Sequence, residues 1–514
     1  MLGGLARSVL GAVSLASHRW QARAFAEAVR SPQRTQHALL KRFLAANAGT
    51  VAGRRHGYAG LTSFSDFQAK VPRSSWESVA ADVDRIAGGE QGVLSADEVT
   101  HFERTSGSTA GPKLIPYTRS LIREFHLGVG AWFADLARAH PGLWGLQQYW
   151  SLSQAVARND RTHGGLRIGI EDDTEYLSAA ARWATQQVMA VPHDVSKERT
   201  PDRWRARTLQ ALLAAKDLGF VSVWSPSFFT VLLEALEAQL PELLAGQPPA
   251  RRAELEQGLA RHGRLTVEAL WPRLRVISCW ADASARLQLP GLQRFVTTTP
   301  IQPKGVVATE GMISLPIDGV GGVAAASGHV LEFVDVESPA ATPLEVGALR
   351  EGGVYSVLLT TGNGFARYQL HDALRCLGHH GALPVLRFEG RLDKTADLVG
   401  EKVTAAEVER ALQTIAVPFR LVVPEAGPPA RYRLFIEASP EAAQAAARVL
   451  EGALHRNPQY RDARGLGQLE AVAAVPVHDG WRKYVAHLMQ LGLKQGDIKP
   501  AALDTRDGWG EALR

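Results

Sequence analysis

Residues 220–240 read FVSVWSPSFFTVLLEALEAQL, and the change of pattern within this stretch predicts the fold class. Val221–Trp224 is a short β-rich run, and Phe228–Leu240 repeats apolar residues at helical spacing. The same alternation recurs where a predicted helix, Ala253–His262, precedes a predicted strand, Leu274–Cys279. Short strands that alternate with longer helices indicate an α/β architecture.

The flanking sequence extends this pattern on both sides. Residues 20–100 have a helical pattern, and Arg19–Val29 is predicted to be an amphipathic helix because its charged residues recur every four positions. A short apolar run before it, Val9–Ala16, imitates a weak signal peptide, but its basic region is thin. Further strands are predicted at Val354–Thr360 and Val385–Phe388.

The composition changes after Arg391, and the new pattern is that of a compact α+β unit. Thr404 and Glu407 form a capping-box sequence that opens a predicted helix, Val408–Leu412. Two strands and a helix that begins at Ser439-Pro440 are predicted to follow, at Phe419–Val423, Tyr432–Glu437 and Ala442–Leu454.

A chain of 514 residues is too long for one compact core, so at least two domains are expected. We therefore predict a large N-terminal α/β domain over residues 1–390, with mixed β-sheets flanked by helices. A hinge over residues 391–395 is predicted to join it to a smaller, mobile α+β domain over residues 396–514, which is within normal domain size.

Composition and charge exclude several classes of function. Apolar residues make up 46% and charged residues 21%, which is typical of a globular protein, and the net charge is +5. Because no run of five Lys or Arg residues occurs, nucleic-acid binding is not predicted. No stretch approaches the roughly 20 apolar residues of a membrane span. The two cysteines, Cys279 and Cys376, predict neither a disulfide framework nor a zinc site, and we expect a cytoplasmic protein.

Residues 105–113, TSGSTAGPK, concentrate hydroxyls, glycines and a lysine in one short segment. Glycines let backbone N–H groups approach an anion, hydroxyls add hydrogen-bond donors, and Lys113 supplies a mobile positive charge. This chemistry suits a polyphosphate, although the spacing is not that of a Walker A loop. The alternative interpretation of such a composition is a polar hairpin turn.

The loop and the Leu114–Thr118 segment after it resemble the first signature of the acyl-acid amido synthetases. These are the auxin-responsive-promoter family within the adenylate-forming superfamily. Further resemblances follow in the family's order, at Val223–Phe228, Gly305–Gly311, Arg367–Asp372, Phe388–Lys394 and Gly496–Pro500. Each match is modest alone, and their order along nearly the whole chain makes the set specific.

The resemblance implies a role for each matched residue. Glu310 would bind Mg²⁺ beside the triphosphate of ATP, Asp372 would accept both ribose hydroxyls, and Lys499 would stabilise the transition state together with Lys113. Asp393 and Lys394 would form the pivot of the hinge. The nucleotide would be held by Thr105, Ser106, Gly107, Ser108, Thr109, Thr309, Glu310, Gly311, Tyr368, Asp372 and Arg391, and the acyl pocket would include Tyr117, Trp224, Ser225 and Phe228.

The departures from the family pattern lie around the nucleoside. The aromatic residue that would stack on adenine before Thr309-Glu310 is missing, and Val306 and Val307 stand in its region. Asp282 and Ala283 replace a Gly-Gly pair, and His371 replaces the glycine before Asp372. Trp280 and Tyr368 are the candidates for stacking in place of the missing ring.

The resemblance implies an ATP-dependent ligase that adenylates a carboxylic acid and transfers the acyl group to an amine, typically an amino acid. AMP and pyrophosphate would be released, with ATP and Mg²⁺ as cofactors. One alternative is an acyl-CoA ligase of the same superfamily. Another is a non-catalytic descendant that binds a nucleotide or an acyl acid. The retained residues Lys113, Glu310, Asp372 and Lys499 favour the enzyme.

Overall fold

The structure is a computed structural model. It describes residues 7, 11, 18–105, 113–150, 160–169, 186–196, 198, 200–392, 394–399, 401–427, 430–466, 468–493, 495 and 498–514.

The described residues form helices and strands throughout the chain. The α-helices are Arg19–Arg30, Pro32–Asn47, Val51–Arg55, Phe64–Lys70, Trp76–Ala87, Arg119–Ala139, His193–Ser196, Pro201–Ala214, Pro226–Ala238, Leu240–Ala245, Pro249–His262, Val267–Leu270, Leu289–Gln293, Ala405–Leu412, Pro440–Leu454, Pro458–Gly465, Gly480–Gln490 and Trp509–Ala512. The strands are Val99–Arg104, Leu114–Thr118, Gln147–Trp150, Leu218–Ser222, Val276–Cys279, Ile301–Pro303, Val307–Ala308, Gly311–Met312, Ser314–Ile317, Gly321–Ala324, Val330–Asp335, Leu344–Glu345, Val354–Thr360, Tyr368–His380, Leu383–Arg391, Thr395–Ala396, Val403–Thr404, Arg420–Glu425, Arg431–Ile436 and Ala473–Pro476.

Four consecutive strands form a parallel sheet, which confirms the α/β prediction. Their order in space follows the sequence: Gln147–Trp150, Leu218–Ser222, Val276–Cys279 and Ile301–Pro303. The strand predicted at Val221–Trp224 is observed at Leu218–Ser222, so it begins three residues and ends two residues earlier than predicted. The helix after it begins at Pro226 because proline suits the first helical turn. Hydrogen bonding nevertheless continues past the strand, since the N–H of Val223 donates to the Ser278 carbonyl.

Apolar side chains cover both faces of this sheet, as expected for parallel strands. Phe220 and Val276 face a core that includes Trp132 of the helix Arg119–Ala139. Val221 and Ile277 face a second core, built largely from the helices between the strands. The helix Arg119–Ala139 therefore lies over the face on which residues 220, 222, 276 and 278 project.

A seven-stranded antiparallel sheet forms the second layer. Its order is Leu344–Glu345, Val330–Asp335, Val354–Thr360, Tyr368–His380, Leu383–Arg391, Gly321–Ala324 and Ser314–Ile317. The strand predicted at Val354–Thr360 is confirmed, and the one predicted at Val385–Phe388 is longer because it pairs with the long strand Tyr368–His380.

The residues after 395 form an α+β unit around their own cores. A three-stranded sheet, with strands Arg420–Glu425, Arg431–Ile436 and Ala473–Pro476, carries helices on its faces. The capping box is confirmed, because Thr404 Oγ1 accepts from the Glu407 N–H and the Glu407 carboxylate accepts from the Thr404 N–H. The domain boundary at residues 391–395 stays a prediction.

Two further predictions concern the termini and the thiols. The predicted first helix is confirmed as Arg19–Arg30, while Val9–Ala16 lies mostly outside the described residues. Cys279 and Cys376 are both buried free thiols. Within the described part of the chain, no helix combines the length and hydrophobicity that crossing a membrane requires.

Candidate active site

The predicted phosphate loop is carried by an antiparallel hairpin. Val99–Arg104 pairs with Leu114–Thr118, and the loop between them connects the two strand ends. The Thr105 N–H donates to the Lys113 carbonyl at 3.0 Å, and the Lys113 N–H donates to Thr105 Oγ1 at 3.2 Å. Thr105 therefore closes the base of the loop. Ser106, Gly107, Ser108 and Thr109 lie outside the described residues, and their roles stay predictions.

Tyr117 joins the Leu114–Thr118 strand to the segment Gly305–Gly311, which contains Glu310. Its hydroxyl donates to the Thr309 carbonyl at 2.7 Å, and its ring stacks on Phe125 with 6.0 Å between centroids. Only 4% of Tyr117 is exposed. The side chain predicted for the acyl pocket thus holds the Glu310 turn in place in this structure, and its acyl-pocket role stays a prediction.

Glu310 lies in a tight turn between two short strands, Val307–Ala308 and Gly311–Met312, and is 7% exposed. His329 and Glu124 hold this turn from behind. His329 Nε2 lies 2.9 Å from the backbone nitrogen of Met312 and 2.8 Å from its oxygen, and His329 Nδ1 lies 3.0 Å from Glu124 Oε2. Sequence reasoning missed this support, because 205 residues separate His329 from Glu124.

Four of the predicted residues from separate segments converge around this turn. Burial raises the pKa of Glu310; the Asp372 carboxylate raises it further, whereas Arg391 and Lys113 oppose the rise. Asp372 lies opposite Arg391 in the sheet, with 3.5 Å between Asp372 Oδ1 and Arg391 Nε. The fold therefore gathers two carboxylates and two cations beside the phosphate loop.

Lys113 also faces a helix start that the sequence analysis did not assign to the site. Its Nζ lies 5.8 Å from the ring centroid of Trp76, at the start of the helix Trp76–Ala87. The pKa of Glu77 is lowered mainly by a hydrogen bond from Ser75, with smaller contributions from the charges of Lys113 and His371. The only local signal for this segment was a run of capping residues, which is common at helix starts.

The Arg367–Asp372 segment owes its shape to two residues with left-handed backbone. His371 has φ +60° where the family carries glycine, so the conformational demand persists without the glycine. The His371 carbonyl accepts from the Leu392 N–H at 2.7 Å, next to the Asp372–Arg391 pair. Arg367, at φ +51°, makes a buried two-point ion pair with Glu332. Arg367 therefore anchors the segment that presents Asp372.

Tyr368 lies in the protein core. Its ring is 2% exposed and stacks on Phe365, with 4.7 Å between centroids and 18° between planes. The structure does not open this ring to a ligand, so Trp280 is the better placed of the two candidates for stacking.

Trp224, Trp280 and Lys304 extend the parallel sheet beyond its carboxyl edge. The Trp280 N–H donates to the Trp224 carbonyl at 2.8 Å, and the Lys304 N–H donates to the Cys279 carbonyl at 2.9 Å. The two indole rings are 5.5 Å apart. Ligands of α/β proteins bind at this edge of the sheet. Lys304 was missed by sequence reasoning, which had no sheet register to place it beside the tryptophans.

Two other residues predicted for the acyl pocket lie elsewhere. Ser225 is buried at the start of its helix, where its Oγ is 2.6 Å from Ser227 Oγ. Phe228 contacts Trp204 at 6.0 Å between centroids and packs against the core on the other face of the sheet. Of the predicted set, Trp224 alone lies on the surface formed with Trp280.

Lys499 reaches the same surface from the C-terminal region. Its Nζ lies 4.9 Å from the ring centroid of Trp280, within cation–π range. The Tyr484 hydroxyl donates to the Lys499 carbonyl at 3.1 Å, which fixes the backbone that carries the lysine. Of the two residues predicted to form the hinge, Lys394 accepts at its carbonyl from the Ala405 N–H, and Asp393 lies outside the described residues. Their hinge role stays a prediction.

Asp282, which replaces a family glycine, ties the edge of the parallel sheet to the strand that precedes the hinge. Its Oδ2 accepts from the Phe388 N–H at 3.2 Å. Burial raises the pKa of Asp282 to about 6; the Phe388 N–H, Arg387 and Arg286 oppose the rise, and Glu389 adds to it.

Replacing Asp282 by asparagine is expected to stabilise the protein at high pH. Because the folded-state pKa is raised, Asp282 favours folding when it is protonated at low pH, and this contribution is lost as the pH rises through about 6. The free energy of unfolding of D282N relative to wild type should therefore increase by about 2 kcal/mol between pH 4, near the unfolded-state pKa, and pH 8. Denaturant unfolding at several pH values measures it. Exposed Asp84→Asn is the control, and parallel curves for D282N and wild type would contradict the assignment.

Comparison with known proteins identifies the family. The GH3 family N-terminal domain matches residues 21–246, and the GH3 family central domain matches residues 322–391. Together these two matches cover more than half of the chain. The chain belongs to the GH3 family. This confirms the resemblance drawn from the six sequence segments, and both matched regions contain residues of the site described above.

GH3 relatives align over most of this chain at low identity. A probable indole-3-acetic acid-amido synthetase, GH3.12 of Oryza sativa subsp. japonica, is 25% identical over 76% of this chain and 74% of its own length. The indole-3-acetic acid-amido synthetase GH3.15 of Arabidopsis thaliana is 24% identical over 69% of this chain and 67% of its own length.

A solved GH3 structure shows the same fold. The AtGH3.15 acyl acid amido synthetase in complex with 2,4-DB matches with a TM-score of 0.82 over 96% of this chain and 95% of that chain, at 18% identity. The predicted combination of a large α/β domain and a smaller C-terminal α+β domain is therefore confirmed.

Proposed function

We propose that this GH3 family member is an AMP-forming acid–amino acid ligase. It adenylates a carboxylic acid with ATP and transfers the acyl group to the amine of an amino acid. The observation that carries the proposal is the convergence of Lys113, Glu310, Asp372 and Arg391 on one turn, next to a sheet edge where Lys499 meets Trp280. The names of the GH3 relatives as amido synthetases support it.

In the first half-reaction, a carboxylate oxygen of the acid attacks the α-phosphorus of ATP. A P–O bond forms, the bond to the bridging oxygen of pyrophosphate breaks, and the electron pair leaves with pyrophosphate. The phosphate loop and Lys113 hold the triphosphate, and Asp372 binds the ribose hydroxyls while Arg391 faces the same nucleotide. Lys499 places its positive charge between the carboxylate and the α-phosphate, where negative charge develops. Positioning supplies most of the catalysis in such transfers.

The residues around Glu310 fit a Mg²⁺ ion that arrives with ATP. Mg²⁺ is usually held by one or two carboxylates together with phosphate oxygens and water, rather than by a protein cage. Among the described residues, no three His, Cys, Asp or Glu side chains cluster as a metal site. The buried carboxylate of Glu310, with Asp372 as a second carboxylate nearby, matches the sparser arrangement. When bound, the ion neutralises phosphate charge.

In the second half-reaction, the neutral amine attacks the acyl carbon of the adenylate. The C–N bond forms, the C–O bond to AMP breaks, and the amine loses a proton. Rotation about residues 391–395 between the half-reactions would move Lys499 away from Trp280 and admit the amine. The ATP requirement also favours a cytoplasmic protein.

ATP–pyrophosphate exchange over a panel of carboxylic acids tests this function. We expect acid-dependent exchange without any amine, and an amide product once amino acids are added. Coenzyme A should not replace the amino acid, and hydroxylamine should trap the acyl-adenylate. A thioester formed without any amide would instead identify an acyl-CoA ligase. Nucleotide binding without exchange for any acid would identify a non-catalytic binding protein.

A further inference from the structure

Two rows of side chains share one face of the parallel sheet at its carboxyl edge. Register places Ser222 beside Ser278, and Ser278 beside Gln302. Two residues further along each strand, the backbone hydrogen bonds continue to Trp224, Trp280 and Lys304. Residues two positions apart project on the same face, and neighbouring strands are about 4.8 Å apart. A polar row therefore lies directly beneath a row of two tryptophans and a lysine.

Lys304 is held at the junction of the two rows. Its Nζ donates to Ser222 Oγ at 2.8 Å and lies 5.0 Å and 5.2 Å from the ring centroids of Trp132 and Trp224. The two tryptophan rings and the hydrogen bond to Ser222 restrain the Lys304 side chain, which would otherwise be flexible. The cation is thus positioned between aromatic rings and the polar row, at the edge of the sheet where ligands of α/β proteins bind.

The polar row offers two more donors next to this cation. Ser278 is 0% exposed and Gln302 is 6% exposed. Among the described residues, Ser278 Oγ and Gln302 Nε2 have no hydrogen-bond partner. Gln302 Oε1 accepts from Trp132 Nε1 at 3.0 Å, which fixes the amide so that Nε2 is left to donate. Buried donors without partners are costly, so such a group points to a ligand that supplies acceptor oxygens.

We propose that Lys304, Ser278 and Gln302 form a subsite for a second carboxylate, distinct from the one that is adenylated. A carboxylate has two acceptor oxygens and a charge that complements an ammonium group and two neutral donors. The inference rests on the proposed function for its context, because Lys304 lies over Trp224, and Trp224 is next to Trp280, over which the catalytic Lys499 lies. The Trp224–Trp280 surface would carry the body of the substrate between the two charges.

Two sources can supply this second carboxylate: the acid substrate, if it carries two acidic groups, or the α-carboxylate of the acceptor amino acid. Isothermal titration distinguishes them with two probe pairs, each of which differs in one charge. The pairs are terephthalate with its monomethyl ester, and leucine with leucinamide; the leucine pair is titrated in the presence of AMP. In one of the two pairs, we expect wild type to bind the member with the additional carboxylate more tightly. The pair that shows this preference identifies the source.

Lys304→Met should reduce this preference about tenfold or more, and Lys304→Arg should retain most of it. The matched control is Lys216→Met, which removes an exposed lysine and should change nothing. No preference in wild type, or an undiminished preference in K304M, overturns the subsite. Pyrophosphate exchange on the same preparations separates the two proposals. If wild type shows the preference, K304M loses it and wild type shows no exchange, the subsite is supported and the ligase is refuted. If wild type shows exchange but no preference, the ligase is supported and the subsite is refuted.

Discussion

Replacing Lys499 by alanine is expected to lower the rate of adenylation about 100- to 1,000-fold while ATP binding stays within a few-fold of wild type. A positioned cation that acts on charge developing in the transition state affects the chemical step far more than ground-state binding. In the structure, the Lys499 ammonium lies over the ring of Trp280 at the sheet edge, 4.9 Å from the ring centroid. Acid-dependent pyrophosphate exchange measures the rate, and titration with ATP measures binding.

The control for this variant is Lys483→Ala, in the same C-terminal region. Lys483 Nζ donates a hydrogen bond to the backbone oxygen of Arg514 at 2.5 Å, in an exposed position. Its removal should therefore leave exchange within about twofold of wild type. Exchange that persists in K499A at more than about a tenth of the wild-type rate would show that another group carries the transition-state charge. Loss of ATP binding in K499A would instead assign Lys499 to the nucleotide site.

Local sequence signals predicted the fold where the deciding interaction is itself local. The Thr404–Glu407 capping box and the strand Val354–Thr360 are both confirmed, because a cap and a buried β-rich run depend on neighbouring residues. The strand predicted at Val221–Trp224 was misplaced, since Val223 and Trp224 extend the sheet only through partners on the next strand. The sequence of a strand does not show which residues of a neighbouring strand it will pair with.

The same distinction separates the site residues that were predicted from those that were missed. Lys113, Glu310, Asp372, Arg391 and Lys499 lie in motifs, so their order along the chain was enough to predict roles for them. Lys304 was missed because only its contacts with Ser222 and the tryptophans mark it as a site candidate, and sheet register is what brings these residues together. Arg367 was part of a matched motif, but its buried partner Glu332 makes it an anchor of the fold.

The departures from the family pattern have different structural consequences. His371 keeps the left-handed backbone that glycine would adopt, so the presentation of Asp372 survives the substitution. Val306 and Val307 offer no ring to stack on adenine, while Trp280 lies at the sheet edge with Lys499 over its face. Asp282 adds a bond to Phe388 that a glycine could not make. Trp280 is therefore the candidate for stacking on adenine in place of the missing ring, and this role stays a prediction.

Replacing Glu310 by glutamine is expected to lower adenylation about 100-fold or more, with the fold intact. The amide has nearly the shape of the carboxylate, so the turn supported by Tyr117 and His329 should persist and the melting temperature should change little. It lacks the charge that a Mg²⁺–triphosphate complex requires, and electrostatic stabilisation is the main contribution in phosphoryl chemistry. Pyrophosphate exchange measured over a range of Mg²⁺ and ATP concentrations tests the prediction.

The pattern of losses separates a metal-binding carboxylate from one that only supports the turn. If Glu310 binds the ion, E310Q should need more Mg²⁺ for half-maximal exchange, whereas Glu310→Asp, which keeps the charge on a shorter side chain, should recover part of the rate. Exposed Glu242→Gln is the control for the loss of one negative charge. A lower melting temperature in E310Q with an unchanged Mg²⁺ requirement would reduce Glu310 to a structural residue. Asp372 would then be the candidate carboxylate for the cation, because it lies close enough to Glu310 to raise the pKa of Glu310.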